Sequence, residues 1–194
     1  MGNFYTSIAL RSVTQQLVVR AMQRMRRRAF VSPTVQGITV VYDAKCEEQD
    51  TKFLSDLALR LSRELQCAAW GVLNHDDDVL WYVLCSNGEY ADSYNSAPDY
   101  FDEDQDGDPT IPEGGDAKAL ASLLNSGKGV RKVDVILRRS DANDGAYVFA
   151  LDRHRELAET LGIPFSLVSI GYENIARGEL PDDLQIESFA KVGK

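Results

Sequence analysis

The sequence predicts an α+β protein with an antiparallel-rich sheet. Three observations support this. Apolar spacing alternates between strand-like and helical periods along the first hundred residues. An Asn87-Gly88 pair separates two strand-like runs, and both residues tolerate the positive φ of a type I′ hairpin turn. From residue 116 onward helical spacing dominates.

Residues 3–11 alternate as a first strand. Ser12-Val13-Thr14-Gln15 then has the spacing of a capping box. The helix it opens places Val13, Leu17, Ala21 and Met25 on one face, with Arg24, Arg26, Arg27 and Arg28 against the negative end of its dipole. Ala29 to Ser32 form a short strand that Pro33 ends. Ile38 to Tyr42 form a continuous apolar run, expected for a strand buried on both faces. A helix over 48–66 carries the stripe Leu54, Leu57, Ala58, Leu61 and Leu65. Strands follow over 68–73, 79–85 and 89–94, the first two joined by the turn His75-Asp76-Asp77-Asp78. This order contains β-α-β-β-α-β, the connectivity of a ferredoxin-like sheet, extended by a hairpin.

Residues 95–115 hold prolines, glycines and acids without an apolar period. Beyond them a short helix is expected over 116–124, and Lys132 to Leu137 fit either a helix or a strand. A helix over 147–161 is closed by Gly162 and Pro164. Phe165 to Ile170 read as an extended buried run, and 171–180 as a last helix. The expected organisation is a sheet domain over 1–94, an acidic loop over 95–115 and a mainly helical part over 116–194, packed together as one structural unit.

The 194 residues are 44% hydrophobic, with eight Tyr, seven Phe and two Trp, which excludes a chain disordered throughout. No run of eighteen apolar residues is present and no basic, then apolar, leader is apparent, so neither a membrane span nor a secretory signal is expected. Cys46, Cys67 and Cys85 form no CxxC pair or zinc set, and reduced thiols in the cytoplasm are the expected state.

Charge is divided unevenly along the chain. Between Arg63 and Lys118 there is no Lys or Arg, and 14 acids give that stretch −14 against a total of −9. Residues 1–45, by contrast, hold seven basic residues and one acid. Arg20, Arg24, Arg26, Arg27 and Arg28 suit a phosphate backbone, but the rest of the surface repels one, so nucleic acid is disfavoured. This polarity also suits head-to-tail self-association into a homo-oligomer.

Within the acidic stretch, Asp102, Asp104, Asp106, Gly107 and Glu113 satisfy D-x-[DN]-x-[DN]-G-x₅-E. Over those twelve residues the chain resembles the calcium loop of EF-hands. The resemblance implies that Asp102, Asp104 and Asp106 supply single oxygens and Glu113 two, while the backbone carbonyl of Asp108, with Thr110, completes the shell around Ca²⁺. The flanks depart from the family. Pro109 stands where an aliphatic residue belongs, Pro112, Gly114 and Gly115 interrupt the exiting helix, and no second loop is present. A solvated acidic linker is the competing reading.

Few other residues carry chemistry. His75 with Asp76, Asp77 and Asp78 has the donor types of a divalent-metal site, although consecutive turn residues cannot all face one ion. His154 falls on the apolar stripe of its helix, where packing is expected rather than acid–base work. No nucleophile elbow, phosphate loop or dinucleotide turn is present. The function expected from these residues is a cytoplasmic, non-catalytic interaction or regulatory module. It would offer an acidic face to a basic protein partner, with Tyr90, Tyr94, Tyr100 and Phe101 as anchors. A calcium-binding module through 102–113 and a metal-dependent hydrolase using His75 or Asp76–Asp78 with the acidic loop are the alternatives.

Overall fold

Among the described residues, eight strands form a single sheet in which every neighbouring pair is antiparallel. The computed structural model describes residues 2–100, 111–140, 145 and 147–193. Along the chain these fold as β1 (Tyr5–Arg11), α1 (Gln15–Arg24), β2 (Ala29–Val31), β3 (Ile38–Asp43), α2 (Thr51–Leu65), β4 (Ala68–His75), β5 (Val79–Ser86) and β6 (Glu89–Asn95). Then come β7 (Glu113–Gly114), α3 (Ala117–Asn125), α4 (Val130–Arg138), α5 (Ala150–Leu161), α6 (Phe165–Val168), α7 (Tyr172–Arg177) and β8 (Ala190–Val192). The strand order is β7-β6-β5-β4-β1-β3-β2-β8.

Helices cover both faces of the sheet, which explains why its central strands read as unbroken apolar runs. On one face Ile8, Leu10, Val41, Ala69, Val83 and Cys85 meet Val18, Ala21 and Met22 of α1 and Leu54, Leu57, Ala58 and Leu61 of α2. On the other, Tyr5, Tyr42, Trp70, Leu80, Tyr82 and Tyr94 meet apolar residues of α3 to α7. Each fully buried Leu, Ile or Val contributes about 1.5–3 kcal/mol. Gly71 on β4 lets α2 approach closely. A Cβ there would stand 3.1 Å from Val83 Cγ1 and 3.3 Å from Leu54 Cγ.

Side-chain caps start two of the helices. Asp50 accepts the N–H groups of Lys52 (2.7 Å) and Phe53 (3.3 Å), and Asp116 those of Lys118 (2.8 Å) and Ala119 (3.0 Å). Arg153 closes α4 from outside. Its guanidinium is 4% exposed and donates to the carbonyls of Ile136 (3.0 Å), Leu137 (3.2 Å) and Arg139 (2.7 Å) and to the Tyr94 hydroxyl (2.5 Å). Those carbonyls have no partner inside the helix, so the cation replaces the missing donors.

Several expectations are corrected. The capping box at Ser12 does not form, because Ser12 adopts φ 60° and α1 begins at Gln15 with Thr14 as its N-cap. The buried face of α1 is therefore Val18, Ala21 and Met22, while Leu17 is exposed. Of the arginine cluster, Arg20 and Arg24 lie inside the helix, whereas Arg26, Arg27 and Arg28 follow it. Phe165 to Val168 turn as α6 instead of extending. Two buried hydroxyls take that turn's carbonyls: Ser7 donates to Val168 (3.0 Å) and Tyr42 to Leu167 (2.5 Å). The stretch that fitted either period is helical, as α4. The edge strands β7 and β8, of two and three residues, are too short to carry an alternation.

Candidate interaction surface

Antiparallel register gathers chain segments far apart in sequence at one end of the sheet. Tyr5 lies opposite Asn74, His75 opposite Val79, Trp81 opposite Asn95 and Ala29 opposite Asp43. The beginning of β1, the β4–β5 turn and the end of β6 thus lie side by side, with the end of β3 and the start of β2 continuing the row.

The β4–β5 turn is built by Asp76 and Asp77, with φ 51° and 60°, and closed by the Asp78 N–H donating to the His75 carbonyl at 3.0 Å. These are the backbone angles of a type I′ turn, and Asp tolerates them better than most side chains. The three carboxylates do not converge on one point. Asp76 accepts the Gly2 N–H (2.6 Å), while Asp77 accepts the N–H and side-chain amide of Asn3 (3.1 and 2.9 Å) and the amide of Asn74 (2.9 Å). Asp78 accepts the Tyr100 hydroxyl (2.9 Å). The Asp77 carbonyl receives the Ala150 N–H at 2.5 Å, which fixes the start of α5 against the turn.

Aromatic rings surround these acids. Phe4 stands edge-on to His75 at 4.9 Å, and Tyr100 lies 5.9 Å from the same imidazole. His75 Nδ1 is 3.2 Å from Gln49 Oε1. Phe4 is 44% exposed, and Val148 and Phe149, immediately before Ala150, are 82% and 52% exposed. Asp78 and Asp99 are also exposed. The result is an apolar, aromatic surface edged by carboxylates, gathered at the ends of β1, β4 and β5.

Further along the same sheet end the arginines are dispersed. Arg27 pairs with the buried Asp43, whose Oδ1 also accepts the backbone N–H of Lys45 (3.0 Å) and Cys46 (3.2 Å). Arg24 pairs with Glu64 and Lys45 with Glu48, and Arg28 lies over the Tyr172 ring at 5.4 Å. The cleft they leave, about 440 Å³, is also lined by Asp43 and Glu48, so its charge is mixed.

A second concavity, about 580 Å³, lies where β5 and β6 emerge beside α2. Trp81, Val83 and Tyr90 line it with Ser55, Asp92 and Ser93.

Of the metal ligands expected from the sequence, Asp102, Asp104, Asp106 and Asp108 lie outside the described residues, as does Phe101. Glu113 is described, exposed on β7 opposite Asn95. Among the described residues no group of three or more His, Cys, Asp or Glu side chains could hold a metal. Tyr94 is corrected as an anchor, since it is 1% exposed and donates its hydroxyl to the Leu137 carbonyl at 3.0 Å. Tyr90 is exposed and Tyr100 half-buried. Phe4 and Phe149 were missed. Single exposed aromatics are unremarkable in a sequence, and only the fold brings these two to the acidic turn.

The three thiols are buried. Burial pushes the Cys67 and Cys85 thiols up to about 12 and raises Cys46 further. His154 is 0% exposed in the core. No protein-family model matches the chain, and neither a curated protein nor a solved structure matches it.

Proposed function

We propose that this protein is a non-catalytic interaction or regulatory module that presents an acidic, aromatic surface to a basic protein partner. One observation carries the reading. Asp76, Asp77, Asp78 and Asp92 are held by backbone, amide and hydroxyl donors that bear no charge. Their negative charge is therefore not neutralised by the groups that hold them, and Asp78 is exposed beside Tyr100, with Phe4 against His75 and Phe149 next to the Ala150–Asp77 bond. Desolvated aromatic anchors within a charged rim are the usual anatomy of a hot spot. Fixed carboxylates also speed the approach of a cationic partner.

Within the sheet we read β4-β1-β3-β2 with α1 and α2 as a ferredoxin-like unit. In support, these four strands and two helices follow one another in β-α-β-β-α-β order, with every strand pair antiparallel.

The expected behaviour is association that weakens steeply as salt is raised, mainly through the association rate. Replacing Asp78 and Asp99 by Lys should abolish partner binding, and Phe149→Ala should speed dissociation, both without lowering the melting temperature. Surface plasmon resonance against ionic strength checks this. Rates indifferent to salt, or unchanged in the double variant, would rule the reading out.

A further inference from the structure

We infer that β6 is a docking edge to which an extended, basic segment of another protein adds as a strand, with its side chains over the Trp81–Tyr90 groove. The inference rests on the acidic-module reading above and specifies the partner's form and place.

The two margins of the sheet differ. At one, β8 matches β2 residue for residue, Ala29 to Val31 against Val192 to Ala190. At the other, the two residues of β7 pair only with Tyr94 and Asn95 of a seven-residue strand. Beyond β7 the Ser93 carbonyl takes the Gly115 N–H at 2.8 Å. On the outer side of β6, away from β5, residues Glu89 to Asp92 have no strand beside them among the described residues. An edge left in this way is a template for a further chain.

The face next to that edge is shaped for side chains. Cys85 pairs with Tyr90 and Leu84 with Asp92, so Ala91 is an extra residue and β6 carries a bulge. A bulge shifts the alternation by one, and here it turns Tyr90 to the α2 side, the face that Cys85 shares. Tyr90 is 56% exposed there. With Trp81, Val83, Ser55, Ser93 and Gly114 it lines the 580 Å³ groove. The sheet extends past α2 at this point, and among the described residues no helix covers the groove.

Charge selects the occupant. β6 and β7 carry Glu89, Asp92 and Glu113 and no Lys or Arg. On the α2 wall Lys52 is already paired with Asp56 at 2.5 Å. A strand of alternating basic and apolar residues would set its apolar side chains on Trp81 and Tyr90 and its cations toward the acids. An acidic strand would be repelled by those carboxylates, and a neutral one would lack the ion pairs.

The test titrates the ¹⁵N-labelled full-length protein, at low salt, with a synthetic peptide of alternating lysine and valine, about as long as β6. A second peptide has the same side chains with alternate amides N-methylated, which keeps charge but removes pairing. The expected result is amide shifts concentrated at Glu89 to Ser93, binding roughly tenfold weaker for the methylated peptide, and a several-fold loss in Tyr90→Ala. Equal binding of both peptides, with shifts at Asp76 to Asp78 instead, would overturn strand addition and leave the acidic-module reading standing. Failure of both peptides to bind would overturn both readings.

Discussion

At the residue scale, His154 shows how a titratable group in the core makes folding depend on pH. It sits on the inner face of α5, its Nδ1 2.7 Å from the Tyr5 hydroxyl and its ring 5.4 Å from Trp70 and 5.5 Å from Phe165. Burial without an anion beside it lowers its pKa from 6.5 to about 3. The folded protein therefore resists a proton that the unfolded chain accepts. Stability is fully present above about pH 6.5 and is lost as pH falls from there toward 3, reaching about 2 kcal/mol at pH 5. Chemical denaturation of the parent and of His154→Gln at several pH values checks this. The variant should lose less stability between pH 7 and 5, and parallel curves would refute the assignment. The sequence placed His154 on an apolar stripe, and the structure puts it in the core. Its partner could not be read, because Tyr5 lies on a strand 149 residues away. Arg153, next to it, gave no signal, since a buried Arg bonded only to carbonyls and a phenol has the same local sequence as a solvated one.

At the element scale, what was legible depended on length and period. The stripe of α2 and the hairpin at Asn87-Gly88 follow directly from spacing and turn chemistry, and Asn87 and Gly88 adopt φ 52° and 86°. Short elements escaped. A run as short as Phe165 to Ile170 has no period to distinguish a helical turn from a strand, so the sequence reads as extended where α6 forms. The α1 register slipped for a related reason. Ser12 and Gln15 have the spacing of a cap, but Ser12 sits in a turn whose N–H bonds the Gly37 carbonyl at 2.7 Å. Tertiary contacts there outweigh the local signal. Gly71 yields a prediction at this scale. Gly71→Ala adds a methyl against Leu54 and Val83, both buried in a packed layer, and should cost about 1–3 kcal/mol. A denaturant midpoint unchanged from the parent would show instead that α2 rides loosely on the sheet.

At the scale of the molecule, element order was readable but strand adjacency was not. Nothing in the local sequence says that β1 lies between β3 and β4, or that β8 returns to pair with β2. The charge polarity was legible from composition alone, yet its spatial form was not. The sheet end brings three remote segments, around Phe4, Asp76 to Asp78 and Phe149, onto one surface, while the arginines are spent on Asp43, Glu64 and Tyr172. The two tryptophans report on these regions separately. Trp70 is sealed in the core, whereas Trp81 borders the open groove. Collisional quenchers should therefore extinguish only part of the emission. Neutral acrylamide should reach Trp81 more readily than iodide, which the neighbouring carboxylates repel, so a difference between the two quenching slopes that closes in high salt gives an optical gauge of the field around that indole.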